Sequence, residues 1–185
     1  MLKRFVYFFF VLNMVGGLLW AGKFSLSLSE NFMFSRDQRF RDIYGQSVLL
    51  HEVRLGYRFY GDYYVWGSYG LSKKSGKTQP YLNLETTITQ HFFGAGLGFT
   101  EDLFKNFGYK LEAGFSYSMY RENVFNITST GHGIGFRGEI GLVYKFSRKI
   151  FTELNVGYQV GYKKGDIYTL KMGGFRTGFA IGVRL

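Results

Sequence analysis

Three histidines stand in this chain, His51 in "LLHEV", His91 in "TQHFF" and His132 in "STGHGIG". A serine becomes a nucleophile only when a base takes its proton and a third group orients that base. Ser129 with His132, and Asp37 or Asp166 across from them, is the combination that could fill those roles. Ser, Gly and His are equally the ordinary residues of a polar loop, so no catalytic residue is assigned on this signal. The chain has no Cys and no pair of His at metal-ligand spacing, and its many Gly-x-Gly pairs fall inside alternating segments, unlike a phosphate-binding loop. No metal and no cofactor are expected.

The remaining chemistry is ionic. In "GFRGEIGLVYKF", residues 135–146, Phe136, Ile140, Leu142, Tyr144 and Phe146 share one face of an extended chain and Arg137, Glu139 and Lys145 share the other. Applying the same alternation elsewhere places Glu52, Arg54, Glu112, Arg137, Glu139, Glu153 and Arg176 near mid-strand on the non-aromatic face. Arg58, Lys110, Lys145 and Arg184 share that face nearer one end of their segments.

The elements that must position these charges are strands. The chain has 185 residues with 26 Gly, 15 Tyr, 21 Phe and a single Pro, a turn-punctuated, aromatic-rich profile of one all-β domain. Residues 1–21 begin with Lys3 and Arg4, continue through an apolar run from Phe5 and end at Ala21, the pattern of a cleaved secretory signal peptide. Residues 22–185 are then the mature domain. Formal charge is +10 for the whole chain; without Lys3 and Arg4, 21 basic residues face 13 acidic ones, or +8. In an exported chain this rich in Tyr and Phe, such a balance points to anionic lipid headgroups and away from nucleic acid.

Period-2 alternation predicts eight strands, at about 23–34, 47–60, 63–73, 87–99, 109–121, 134–146, 151–163 and 174–185. Short links near 61–62, 100–108 and 147–150 alternate with longer polar ones at 35–46, 74–86, 122–133 and 164–173. Short turns at one end and long loops at the other mark an up-and-down barrel that crosses a membrane. Eight strands leave a lumen only wide enough for side chains to fill, so Gly, Ser and the charges belong inside and the Phe, Tyr and Leu face belongs outside, in lipid. Phe32, Phe34, Tyr69 and Tyr162 toward the loops, and Tyr57, Phe59, Tyr63, Phe99, Tyr144, Phe146 and Phe151 toward the turns, would form two interfacial girdles. Glu30 shares the outward face of Leu28 and Phe32, an anomaly for a lipid surface.

The patterns in "KLEAGFSYSMY", "GIGFRGEIGLVYKF", "FTELNVGYQVGY" and "GFRTGFAIGVRL" resemble the family of small outer-membrane β-barrel proteins, the group of the OmpX-like proteins and the transmembrane domain of OmpA. The resemblance covers essentially the whole mature chain and implies residence in the outer membrane of a diderm bacterium, with insertion by the barrel assembly machinery. The family includes structural proteins, adhesins, narrow pores and lipid-modifying enzymes. Its lipid A deacylases carry a His-x-Ser-Asn pattern that none of the three His here matches. The expected role is therefore structural or interactive: a monomeric barrel whose lumen is closed by paired charges, since an isolated buried charge would cost several kcal/mol. A narrow path that opens when Arg and Glu exchange partners is the second reading, and a lipid A modifying enzyme built on His132, Ser129 or His51 is the third. The basic loop residues Arg36, Arg39, Arg41, Lys73, Lys74, Lys77, Lys163, Lys164 and Lys171 could meet lipopolysaccharide phosphates, or could simply be a solvated rim.

Overall fold

The computed structural model describes residues 23–78, 83–125, 127–165 and 169–185, with backbone alone for 162–165 and 169–172. The expected signal peptide at 1–21 lies outside the described residues, as do Asp166 and the side chains of Tyr162, Lys163, Lys164 and Lys171.

Eight strands pair in sequence order and close into an antiparallel barrel. They are β1 (Phe24–Ser35), β2 (Ser47–Tyr60), β3 (Tyr63–Lys77), β4 (Glu85–Asp102), β5 (Phe107–Val124), β6 (Ile127–Lys145), β7 (Ile150–Gly165) and β8 (Thr169–Arg184), with a helix α1 (Gln38–Tyr44) between β1 and β2. Following cross-strand partners once around, Ser25 leads to Gly56, Trp66, Gly96, Gly114, Arg137, Gln159 and Gly174, and back to β1 at Ser35, ten residues above the start. A ten-residue stagger over eight strands corresponds to a strand tilt of about 40°. Such a barrel has no free sheet edge, which is what lets a sheet cross hydrocarbon with every backbone group paired.

The strands run further than alternating hydropathy predicts. Pairing continues to Lys77↔Glu85, Val124↔Ile127 and Lys164↔Thr169, so most of what reads as long loops at 74–86, 122–133 and 164–173 is strand. Beyond the apolar band the outward residues become Thr87, Thr89, Thr128 and Thr130, β-branched residues that keep the ladder extended in water. Among the described residues at this end, the segment between β1 and β2 departs furthest from the sheet. There Asp37 caps α1 by accepting the Phe40 N–H at 3.0 Å, and Gly45 ends the helix at φ 85°, a left-handed conformation suited to glycine.

The outward face is apolar on every strand. Lower aromatic contacts run through Phe24–Tyr57, Tyr63–Phe99 and Phe107–Tyr144 at 4.9, 5.1 and 4.8 Å, and upper ones through Phe34–Phe175 and Tyr69–Phe93 at 6.0 and 5.2 Å. Phe151 is a correction to the expected girdle. It is buried, because the outward residues of β7 are Leu154, Val156 and Tyr158, and position 151 has the opposite parity.

Glu30 does face outward, and it is not alone. Its carboxylate lies 2.8 Å from Nδ1 of His51, its cross-strand partner, and both side chains are 58% exposed. The pair sits between the Phe24 and Phe34 levels of β1, inside the apolar band. Replacing His51 by Leu leaves a lone carboxylate in lipid and should lower stability by on the order of 1–2 kcal/mol. The E30L/H51L double variant should regain at least that loss, and denaturant unfolding of the lipid-reconstituted protein measures both.

Candidate functional site: the charged lumen

The inward residues divide the lumen into three zones. Across the middle lie four cations, Arg54, Lys110, Arg137 and Arg176, and four carboxylates, Glu52, Glu112, Glu139 and Glu153, all buried. Arg54 donates to Glu112 at 2.6 Å, Glu52 at 2.9 Å and Glu139 at 3.0 Å. Arg137 bridges Glu52 at 3.0 Å and Glu139 at 2.6 Å. Arg176 donates to Glu52 at 2.9 Å.

Lys110 does more than the alternation argument assigns to it. Although it lies near the start of β5, its ammonium is 2.5 Å from Glu153, 3.4 Å from Glu139 and 3.6 Å from Glu112, so it belongs to the network as well as lining the mouth. The stagger explains this double placement, because positions equally far from a strand end on different strands stand at different heights in the barrel. Of the other expected mouth residues, Lys145 is ion-paired to Asp102, while Arg58 and Arg184 line a cavity at the short-turn end.

Two aromatic side chains complete the middle zone. Trp66 lies between Arg54 and Arg137, whose guanidinium carbons are 5.6 and 5.2 Å from its ring, and Tyr64 donates to Glu112 at 2.8 Å. The inward glycines of "HFFGAGLGF" make room for them. A Cβ at Gly94 would stand 2.9 Å from Trp66, one at Gly114 2.8 Å from it, and one at Gly98 2.2 Å from the Tyr64 ring. Gly94, Gly98 and, from β5, Gly114 are cups for lumenal aromatics, whereas Gly96 and Gly135 stand against backbone atoms of the neighbouring strand.

Toward the loop end the lumen is not the Gly, Ser and charge lining that the alternation suggests. Met33, Val48, Leu50, Ile88, Phe92 and Tyr120 point inward and pack with Phe40 and Tyr44 of α1 into a buried apolar cluster. The Tyr44 hydroxyl donates to Glu122 at 2.5 Å and lies 2.8 Å from that of Thr86, tying the helix to β4 and β5. The segment at 35–46, which reads as a polar loop, is a lid. Its two inward aromatics four residues apart, Phe40 and Tyr44, are the one signal of it in the sequence.

The Ser–His combination is not assembled. Ser129 and His132 are both in β6, with Ser129 buried in the lumen and His132 exposed on the outer face beside Tyr117. His51 is committed to Glu30, and His91 lies 2.9 Å from the Tyr69 hydroxyl, also outside. Asp37 serves the α1 cap. Among the described residues no group of three or more His, Asp and Glu could hold a metal ion.

No family model matches the chain, and no curated protein matches it in sequence. Solved structures do match. Neisserial surface protein A superposes with a TM-score of 0.66 at 15% identity, over 89% of this chain and 98% of that one. The outer membrane protein OprG of Pseudomonas aeruginosa gives 0.69 at 12%, over 88% and 97%. The N-terminal β-barrel domain of OprF from the same organism gives 0.54 at 14%, over 88% and 96%. The fold is that of the small outer-membrane barrels. With an apolar outer band bounded by aromatics, this chain has the build of a barrel that crosses the outer membrane, and in such barrels the short turns face the periplasm.

Breaking the network on one side strands a buried charge. Glu139→Gln, which removes a carboxylate facing Arg54, Arg137 and Lys110, should cost about 3–5 kcal/mol in denaturant unfolding. A solvent-exposed control such as Glu85→Gln should stay within about 0.5 kcal/mol of the parent.

Proposed function

We propose that this barrel does its work at its surfaces: it spans the outer membrane as a closed, non-conducting and non-enzymatic body, and presents its extended hairpins to lipopolysaccharide or a surface partner. The observation that carries this reading is a lumen obstructed twice. A balanced charge network fills the middle, and an apolar lid fills the loop end. A gated path would need both to move, the network by exchanging partners held on five strands and the lid by exposing its apolar cluster. Arg36, Arg39, Arg41, Lys73 and Lys77 stand at the loop end with a surplus of positive charge suited to phosphate groups.

Planar-bilayer recording of the purified protein should show no unitary conductance, in the parent or in a variant carrying Arg39→Gln and Lys77→Gln. Steady channels in the parent, altered by Glu139→Gln, would instead establish a pore gated by the network. The mass spectrum of lipid A from expressing cells should match that of cells lacking the protein; a gained or lost acyl chain would overturn the non-enzymatic reading. Binding of the folded barrel to lipopolysaccharide micelles should weaken at least tenfold in the Arg39→Gln, Lys77→Gln variant and with rising salt.

A further inference from the structure

At the short-turn end, below the network, the lumen opens into a cavity of about 70 Å³. Its floor is closed. Lys110 and Arg54 are committed there to Glu153, Glu112 and Glu139, and the Tyr64 hydroxyl is committed to Glu112. Its wall is different, because it carries Lys23, Arg58 and Arg184 with no carboxylate within ion-pair distance among the described residues. Asp102, at the end of β4 on this rim, is already paired with Lys145.

These three cations form a continuous arc. Arg184 on β8 is the register partner of Ser25 on β1, and the Arg58 N–H on β2 donates to the Lys23 carbonyl at 2.8 Å, so the arc spans three neighbouring strands. Arg184 is held in place by packing. Its guanidinium lies 5.7 Å from the centre of the buried Phe151 ring, and Gly182 leaves the space this ring needs, since a Cβ there would stand 2.3 Å from Phe151. Repelling cations gathered on one wall raise the energy of the empty cavity, and an anion relieves it.

We infer that this cavity is a periplasm-facing binding site for a small organic oxyanion, a phosphate ester or a polycarboxylate. Guanidinium forks match both groups bidentately, which selects oxyanions over halide. The hydroxyls of Ser25 and Thr100 and the apolar surface of Phe151 line the same cavity and suit the rest of an organic ligand. With its floor closed, the site takes and releases its ligand through one mouth, so it binds and does not transport. The inference is independent of the surface-interaction reading, which concerns the opposite end of the barrel.

The test is calorimetric and NMR titration of the folded protein in zwitterionic detergent micelles, with glycerol 3-phosphate and succinate as probes and glycerol and potassium chloride as controls. Saturable binding of either oxyanion is expected, with amide shifts concentrated at Gly56, Arg58, Thr100 and Gly182, and the stronger of the two identifies the preferred group. Arg58→Gln with Arg184→Gln should weaken that binding at least tenfold. Both residues lie outside the central network, so the variant should keep its fold, which the dispersion of its amide spectrum checks. The loop-end variant Arg39→Gln, Lys77→Gln should bind as the parent does. Absence of saturable binding by both oxyanions, or equal weakening in the two variants, overturns the site.

Discussion

The constraint on which this molecule depends is the width of an eight-stranded lumen. Strand number and a ten-residue stagger leave space that side chains must fill themselves. The central solution is four cations against four carboxylates, interlocked so that Glu52 serves three arginines and Glu139 meets three arginines and a lysine. Most of these charges are compensated by two or more others, with Glu153 joined through Lys110 alone, so the network ties together β2, β5, β6, β7 and β8. Its net stabilisation relative to an apolar filling can be small, while the penalty for losing any one member is large. Such a network fixes which residues face which across the barrel more than it adds to overall stability.

The two ends of the lumen answer the same constraint differently. The loop end is filled by apolar residues beneath a capped helix, as a soluble core would be, and the helix is tied to the wall by Tyr44. The turn end is left open, with cations on its wall that the network does not neutralise. A barrel sealed on one side and open on the other is poised to interact separately with the two aqueous phases. The outer wall is governed by lipid, and the Glu30 carboxylate, the one in the band among the described residues, is tolerated beside the His51 imidazole at 2.8 Å.

Much of this was legible from residue order alone. Alternation revealed which residues share a face along the strands, Phe151 excepted, and the narrowness of the lumen decided that the aromatic face is the outer one. The charged members of the central network were visible as mid-strand residues of inward parity, but their pairing was not. Lys110 shows why: height in a staggered barrel depends on which strand a residue occupies, a quantity that no local pattern carries. The strand ends were underestimated because hydropathy stops reporting where the outer face meets water, while backbone hydrogen bonding continues through Thr-rich segments. Phe151 was misread through proximity to other aromatics, against the parity of its own strand.

The sequence by itself determined the sheet, its faces and the membrane as solvent, because each follows from a period of two and from the size of side chains. Only the tertiary structure decided that Glu30 meets His51, that α1 folds inward as a lid, that Ser129 and His132 stand on opposite faces, and that Arg58 and Arg184 share one cavity wall. Those outcomes depend on register and closure. Both arise from the sum of backbone pairing around the whole barrel and are properties of no single segment.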